Sequence, residues 1–246
     1  MTPVILSIDQ GTTGTTVLLM DRRGRIVSRG YAELSQHYPQ PGWVEHRPGE
    51  MVRTTLAVMQ RALRAGRVRP RHIAAIGITN QRETTIVWDR RTGAPIANAI
   101  VWQCRRTASM CERLKRRGLE GAFRRKTGLV LDAYFSGTKI RWLLEHVRGA
   151  PRRAARGELA FGTVDSWLIW NLTGGIRHVT DETNASRTLL YNIHARRWDP
   201  ALLRWLGVPA SMLPEVRPPS AEFGVTRGRT GLPAGIPILG VAGDQQ

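Results

Sequence analysis

The order of elements in the sequence predicts an α/β fold: a mixed central sheet with a β-β-β-α-β-α opening and flanking helices. Three observations predict it. Strand-length runs over 4–8, 17–21 and 25–34 are followed by an amphipathic helix over 49–65 and a further buried-type strand over 73–78. Apolar residues at helical spacing return over 137–147 and 166–172. The last apolar run, Ile236–Gly243, ends in the carboxylate of Asp244 at the carboxyl end of a strand, where α/β sheets carry their chemistry.

The first strand, Val4–Ile8, runs into Asp9-Gln10-Gly11-Thr12-Thr13-Gly14-Thr15-Thr16, and Val17–Asp21 reads as its neighbour. Two glycines and four threonines between buried strands make either a plain hairpin with a polar tip or a concavity of hydroxyls and free backbone N–H groups suited to phosphate. Asp9, at the strand's carboxyl end, is placed to hold a divalent cation directly or through water. The turn Arg22-Arg23-Gly24 leads to the third strand, giving a meander. Pro39, Pro41 and Pro48 forbid regular structure in the aromatic-bearing segment 36–48, which reads as a surface loop over a site.

Met51, Leu56, Val58, Met59, Ala62 and Leu63 line one face of the first helix, and Gly66 ends it. After the strand over 73–78 come Arg82 and Glu83, adjacent opposite charges at a strand boundary. On their own they read as a surface ion pair worth under about 1 kcal/mol, or as a donor and an acceptor sharing one polyol. Thr84–Trp88 is expected to pair with Ala97–Trp102 across the Arg91-Thr92-Gly93 turn. A basic helix is expected over 104–119, broken by Gly118 and Gly121. Ser136 is a candidate cap for the helix 137–147, and Thr163 or Asp165 for the helix 166–172, which Gly174 stops. Between these lie a loop with a short helix over 148–156 and a strand over 159–162. Asp181–Thr188 is polar and turn-like, and Asp199–Leu206 reads as a short helix.

At 246 residues, 41% hydrophobic and 23% charged, the composition is that of a globular protein able to bury a large core. No apolar run reaches the roughly 20 residues of a membrane helix, and no secretory leader is visible, so the expectation is a cytoplasmic protein without a membrane partner. The net charge of +18 raises nucleic-acid binding. However, the basic residues are scattered, and Lys115, Lys126 and Lys139 are the only lysines, so the excess of arginine reads as a compositional habit and no nucleic-acid partner is expected. Phosphorylated substrates would still be attracted. Cys104 and Cys111 lack metal-ligand spacing and read as reduced, packing thiols. No Walker-type loop, nucleophile elbow or metal-binding His pair is present.

Eight spaced segments then coincide: Asp9–Thr13, Pro41–His46, Ile78–Thr85, Val101–Thr107, Tyr134–Lys139, Gly162–Leu168, Thr180–Thr188 and Gly240–Gln246. Together they resemble the FGGY carbohydrate kinases, related to actin and hexokinase, and within them the glycerol kinase branch. The resemblance spans the whole chain in order. It implies an actin-like, ribonuclease H-like fold, with ATP and Mg2+ as cofactors and transfer of the γ-phosphoryl to glycerol. Asp244 would be the catalytic base. Arg82, Glu83, Tyr134, Asp244 and Gln245 would hydrogen-bond glycerol, and Trp102 would wall its carbon face. Asp9 would lie near Mg2+, and Gly11, Thr12, Thr13 and Gly14 would meet the phosphates.

Two departures stand out. Thr16 occupies a position where the family usually has a basic residue, so one phosphate contact is in doubt. Leu232-Pro233-Ala234-Gly235 replaces a loop that takes a regulatory sugar bisphosphate in some members, so that regulation is not expected. A strand of central type that stops one step later with nothing to cover it also raises the expectation of a second domain. On that reading 1–246 is the substrate-binding domain, the ATP-binding C-terminal domain lies outside it, the chain alone is inactive, and the full-length parent admits a homo-oligomer. The alternatives are a family member acting on another polyol or a pentulose, and a non-catalytic basic binding module.

Overall fold

A computed structural model describes residues 3–228 and 230–246. The opening meander forms as expected: β1 (Val4–Gln10), β2 (Gly14–Asp21) and β3 (Ile26–Glu33), successively antiparallel. The β2–β3 turn is fixed locally, because the Asp21 carboxylate accepts from the backbone N–H groups of Arg23 and Arg25. The proline-rich segment contains only the two-residue strand β4 (Glu45–His46) before helix α1 (Pro48–Ala65), whose apolar face is buried. The crossover then delivers β5 (Ile73–Asn80) parallel to β1.

Next come β6 (Ile86–Asp89), β7 (Ala99–Ile100), α2 (Ala108–Arg116), α3 (Glu120–Thr127), α4 (Ser136–His146), α5 (Ala150–Ala155), β8 (Leu159–Gly162) and α6 (Val164–Leu172). The chain continues through β9 (Val179–Asp181), α7 (Glu182–Ala185), β10 (Tyr191–Asn192), β11 (Arg197–Trp198) and α8 (Pro200–Leu206). It finishes with β12 (Glu215–Arg217), β13 (Ser220–Val225) and β14 (Pro237–Gly243). The main sheet has six strands in the order β13-β14-β5-β1-β2-β3, with β14 parallel to β5. The predicted mixed sheet with flanking helices is therefore observed.

One core packs α1 and α6 onto the sheet through Leu6, Ile8, Met59, Ile76, Trp167 and Ile238. A second joins α2–α5 and α8 around Phe123, Ile140, Phe161 and Leu206. Cys104 and Cys111 are buried free thiols, as expected.

Several local expectations are corrected. The strand at Ile86 takes β8 as its partner (Ile86↔Gly162 to Asp89↔Leu159), and contact with 97–102 shrinks to the Thr85–Ile100 bridge. Trp88 is fully buried, and β8 is itself wholly buried, so the pairing places two apolar segments against each other. The basic helix is shorter than 104–119, and Gly121 lies inside α3, because the break falls at Gly118 and again at Gly128, both in the left-handed region. Ser136 does not cap α4: its hydroxyl donates instead to the Glu83 carbonyl. Thr163 occupies the N-cap position of α6, but its hydroxyl donates to the Asp165 carboxylate and makes no capping bond, while the Asp181 and Asp199 side chains do cap α7 and α8.

Candidate active site

Because β1, β5 and β14 run parallel and side by side, their carboxyl ends open on one edge of the sheet. The ladder continues past the strands: Gln81 N donates to the Gln10 carbonyl (2.9 Å), and Asp244 N donates to the Asn80 carbonyl (3.0 Å). Topology therefore brings Asp9 and Asp244, at opposite ends of the sequence, to the same edge of the sheet, with β5 between them. Asp9 keeps a solvent-exposed side, and the partial burial of its carboxylate, followed by the Asp244 charge, holds its pKa above the usual carboxylate range.

Beyond β5 the chain turns sharply. Thr84 N donates to the Arg82 carbonyl (2.7 Å), with Glu83 at φ +61° between them. A three-residue turn with positive φ at a non-glycine centre is strained, and such strain gathers at functional sites. The turn sends the two adjacent charges to different partners. Arg82 Nε lies 3.4 Å from the Asp244 carboxylate, while Arg82 Nη1 donates to Gln246 Oε1 (3.0 Å). Glu83 accepts from Arg187 Nε (2.6 Å). The two side chains therefore do not pair as a surface ion pair, yet both line one cleft. Arg82 Nε is buried and too poorly aligned to hydrogen-bond Asp244, which leaves a donor aimed into the site. Burial raises the Glu83 pKa, opposed by the Arg187 guanidinium.

Thr12, Arg82, Glu83, Trp102, Tyr134, Asp244 and Gln245 line one cleft of about 220 Å³. Trp102 and Tyr134 stand 5.4 Å apart between ring centroids, and Trp102 Nε1 donates to Thr12 Oγ1 (2.8 Å). The apolar rings, the guanidinium and the two carboxylates form a mixed wall that fits a small polyol. Wider clefts of up to about 610 Å³ lie elsewhere, and their linings include neither Asp9 nor Asp244.

In the first loop the reading of free N–H groups needs one correction. Gly11 N donates to the Gly14 carbonyl (2.9 Å), which closes the turn, whereas the Thr12 and Thr13 N–H groups make no hydrogen bond among the described residues. Gln81 clamps this loop through Nε2 to the Gly11 carbonyl (3.1 Å). Gly14 is buried at the start of β2 and its Cα faces the neighbouring strand, so the solvent-accessible part of the loop narrows to residues 11–13. No group of three or more His, Cys, Asp or Glu side chains able to hold a metal occurs among the described residues. The exposed carboxylate of Asp9 fits the chemistry of Mg2+, which keeps several waters, uses one or two carboxylates and shares phosphate oxygens.

Every residue expected to contact the polyol lines the cleft, and Arg187, which the sequence does not single out, supports it. Its guanidinium pairs with Glu83 and stands 5.7 Å from the centroid of the Tyr134 ring. It sits within the Thr180–Thr188 segment, and only its fold-distant partner reveals a role.

The sequence matches the N-terminal domain of the FGGY family of carbohydrate kinases over residues 4–246. It is 58% identical over 242 residues to a glycerol kinase of Carboxydothermus hydrogenoformans, covering 98% of this chain and 48% of that protein. It is 54% identical to a glycerol kinase of Thermus thermophilus, covering 100% of this chain and 50% of that protein. The crystal structure of Plasmodium falciparum glycerol kinase with ADP superposes with a TM-score of 0.94 at 36% identity, over 99% of this chain and 49% of that one. A xylulose kinase from Lactobacillus acidophilus, with a TM-score of 0.86 at 23% identity over 98% of this chain and 48% of that one, shares the fold. The chain spans about half the length of the curated relatives it matches.

Proposed function

Since this chain belongs to the FGGY family of carbohydrate kinases, we propose that it supplies the polyol half of a kinase that phosphorylates glycerol with MgATP, giving sn-glycerol 3-phosphate and ADP. The observation that carries the reading is the single cleft lined by Arg82, Glu83, Trp102, Tyr134, Asp244 and Gln245.

The residues divide the work by chemical type. Arg82 offers only donors to the polyol, and Glu83 only acceptors. Trp102 and Tyr134 wall its carbons. Asp244 accepts the proton of the reacting hydroxyl as that oxygen attacks the γ-phosphorus and the bond to the ADP oxygen breaks. The Thr12 and Thr13 amides face the transferred phosphoryl. Asp9 would hold Mg2+, which neutralises phosphate charge when bound.

In this reading residues 1–246 are the substrate-binding domain, adenine contacts come from a further domain, and the protein works in the cytoplasm. The half-length coverage of the relatives supports that division. The test compares glycerol with xylulose as acceptors for the full-length protein. Preference for glycerol by at least tenfold in kcat/KM is expected, from about 1.4 kcal/mol of extra complementarity. Preference for xylulose, or salt-sensitive DNA binding with no acceptor turnover, defeats the reading. Glycerol phosphorylation by the 246-residue chain alone would defeat the proposed division of labour.

A further inference from the structure

The roles proposed above leave one buried charge unused. Lys139, in the first turn of α4, is fully buried. Its Nζ donates to the carbonyl of Glu83 (3.3 Å) and to the carbonyl of Tyr134. These two residues lie far apart in sequence and line the cleft from different segments. The Glu83 carbonyl also accepts from Ser136 Oγ (3.0 Å) and Thr85 Oγ1 (3.1 Å). The carbonyl at the centre of the strained turn is thus gripped from α4 and from the segment entering β6.

An ammonium is an expensive way to fill a core, and an apolar side chain of similar length would cost less there. Nor does Lys139 contact the cleft: the residues lining it do not include Lys139. What it does is hold two cleft-lining backbones at a set separation. A strained φ persists only where its surroundings over-determine it, and Lys139 with Ser136 and Thr85 provides that constraint.

We propose that Lys139 is a positioning residue that clamps the Glu83 turn to the Tyr134 segment and thereby sets polyol affinity, a reading that rests on the polyol site proposed above. Burial pushes the ammonium down to about 7, opposed by the Glu83 and Asp132 carboxylates and by Cys104 and Cys111.

The test uses the full-length protein with Lys139→Met, and Ser136→Ala as a milder variant that removes another donor from the same carbonyl. Lys139→Met is expected to raise the glycerol KM by about tenfold or more, with the ATP KM changed by less than about threefold, since a small displacement of binding groups acts on the substrate they touch. Amide exchange should quicken over 82–86 and 133–136 and stay unchanged in β3. An unaltered glycerol KM with unaltered exchange overturns the clamp, and so does a uniform rise in both KM values with faster exchange throughout. If Lys139→Met does not fold, Ser136→Ala decides: a glycerol KM raised about threefold with local exchange supports the clamp, and wild-type values overturn it. Wild-type protein that does not phosphorylate glycerol defeats the substrate assignment, while the exchange measurement still judges the clamp.

Discussion

Gly243→Ala offers the sharpest test of the cleft geometry. Gly243 ends β14, one residue before Asp244, and its backbone lies outside the left-handed region, so an added methyl meets only a steric question. That Cβ would stand 2.3 Å from Arg82 Cδ and 2.7 Å from Arg82 Cγ, against an ordinary contact of 3.4–4 Å. Arg82 must therefore retreat by about 1 Å, from a buried position where Nη1 is tied to Gln246 and Nε faces Asp244. A misplacement of about 1 Å costs on the order of 10²-fold in rate, or about 2.7 kcal/mol of transition-state stabilisation. Steady-state kinetics of the full-length protein should show glycerol kcat/KM falling about a hundredfold, with the ATP KM changed by less than about threefold. Gly240→Ala is the matched control. It lies on the same strand and would place its Cβ with nothing within 4 Å, so its kinetics should stay within about twofold of wild type. A fall of less than about threefold for Gly243→Ala, or equal falls for both variants, would refute the placement of Arg82.

Further outcomes follow from other parts of the structure. Asp244→Asn should lower kcat by about 10²–10⁴ while the glycerol KM moves less than about tenfold, measured by coupled assay, and a kcat loss below about tenfold removes Asp244 as the base. Gly137→Ala should destabilise the fold by about 1–3 kcal/mol in urea titrations, because its Cβ would lie 2.7 Å from both the Thr188 carbonyl oxygen and Leu206 Cδ1; an unchanged midpoint contradicts that packing. Burial raises the Asp199 pKa, but bonds from Lys126, Asn192 and the amides of Leu202 and Ala201 outweigh it and bring the group to about 2. Its folded pKa lies below its unfolded one, so its contribution of about 2 kcal/mol is present above about pH 4 and lost as pH falls towards 2. Asp199→Asn should flatten that part of the stability–pH curve, and an unchanged slope would exclude the cap from acid unfolding.

Much of this was legible in the residues themselves. The strand runs, the amphipathic face of α1, the short helix from Asp199 and the order of the sheet-forming segments follow from local periodicity and from interactions between near neighbours. So did the cleft membership of Arg82, Glu83, Trp102, Tyr134 and Asp244, because their segments are distinctive. What only the tertiary structure decided was partnership. Ile86–Asp89 joined Leu159–Gly162, Glu83 turned away from Arg82 to Arg187, Ser136 left the helix end for a carbonyl, and a lysine in a helical apolar face proved to be wholly buried. The physical reason is range. Helix and strand propensity act over a few residues, whereas the choice of partner for a charge or a strand edge depends on which groups the packed layers bring within hydrogen-bonding distance, here across separations as long as the 104 residues between Glu83 and Arg187.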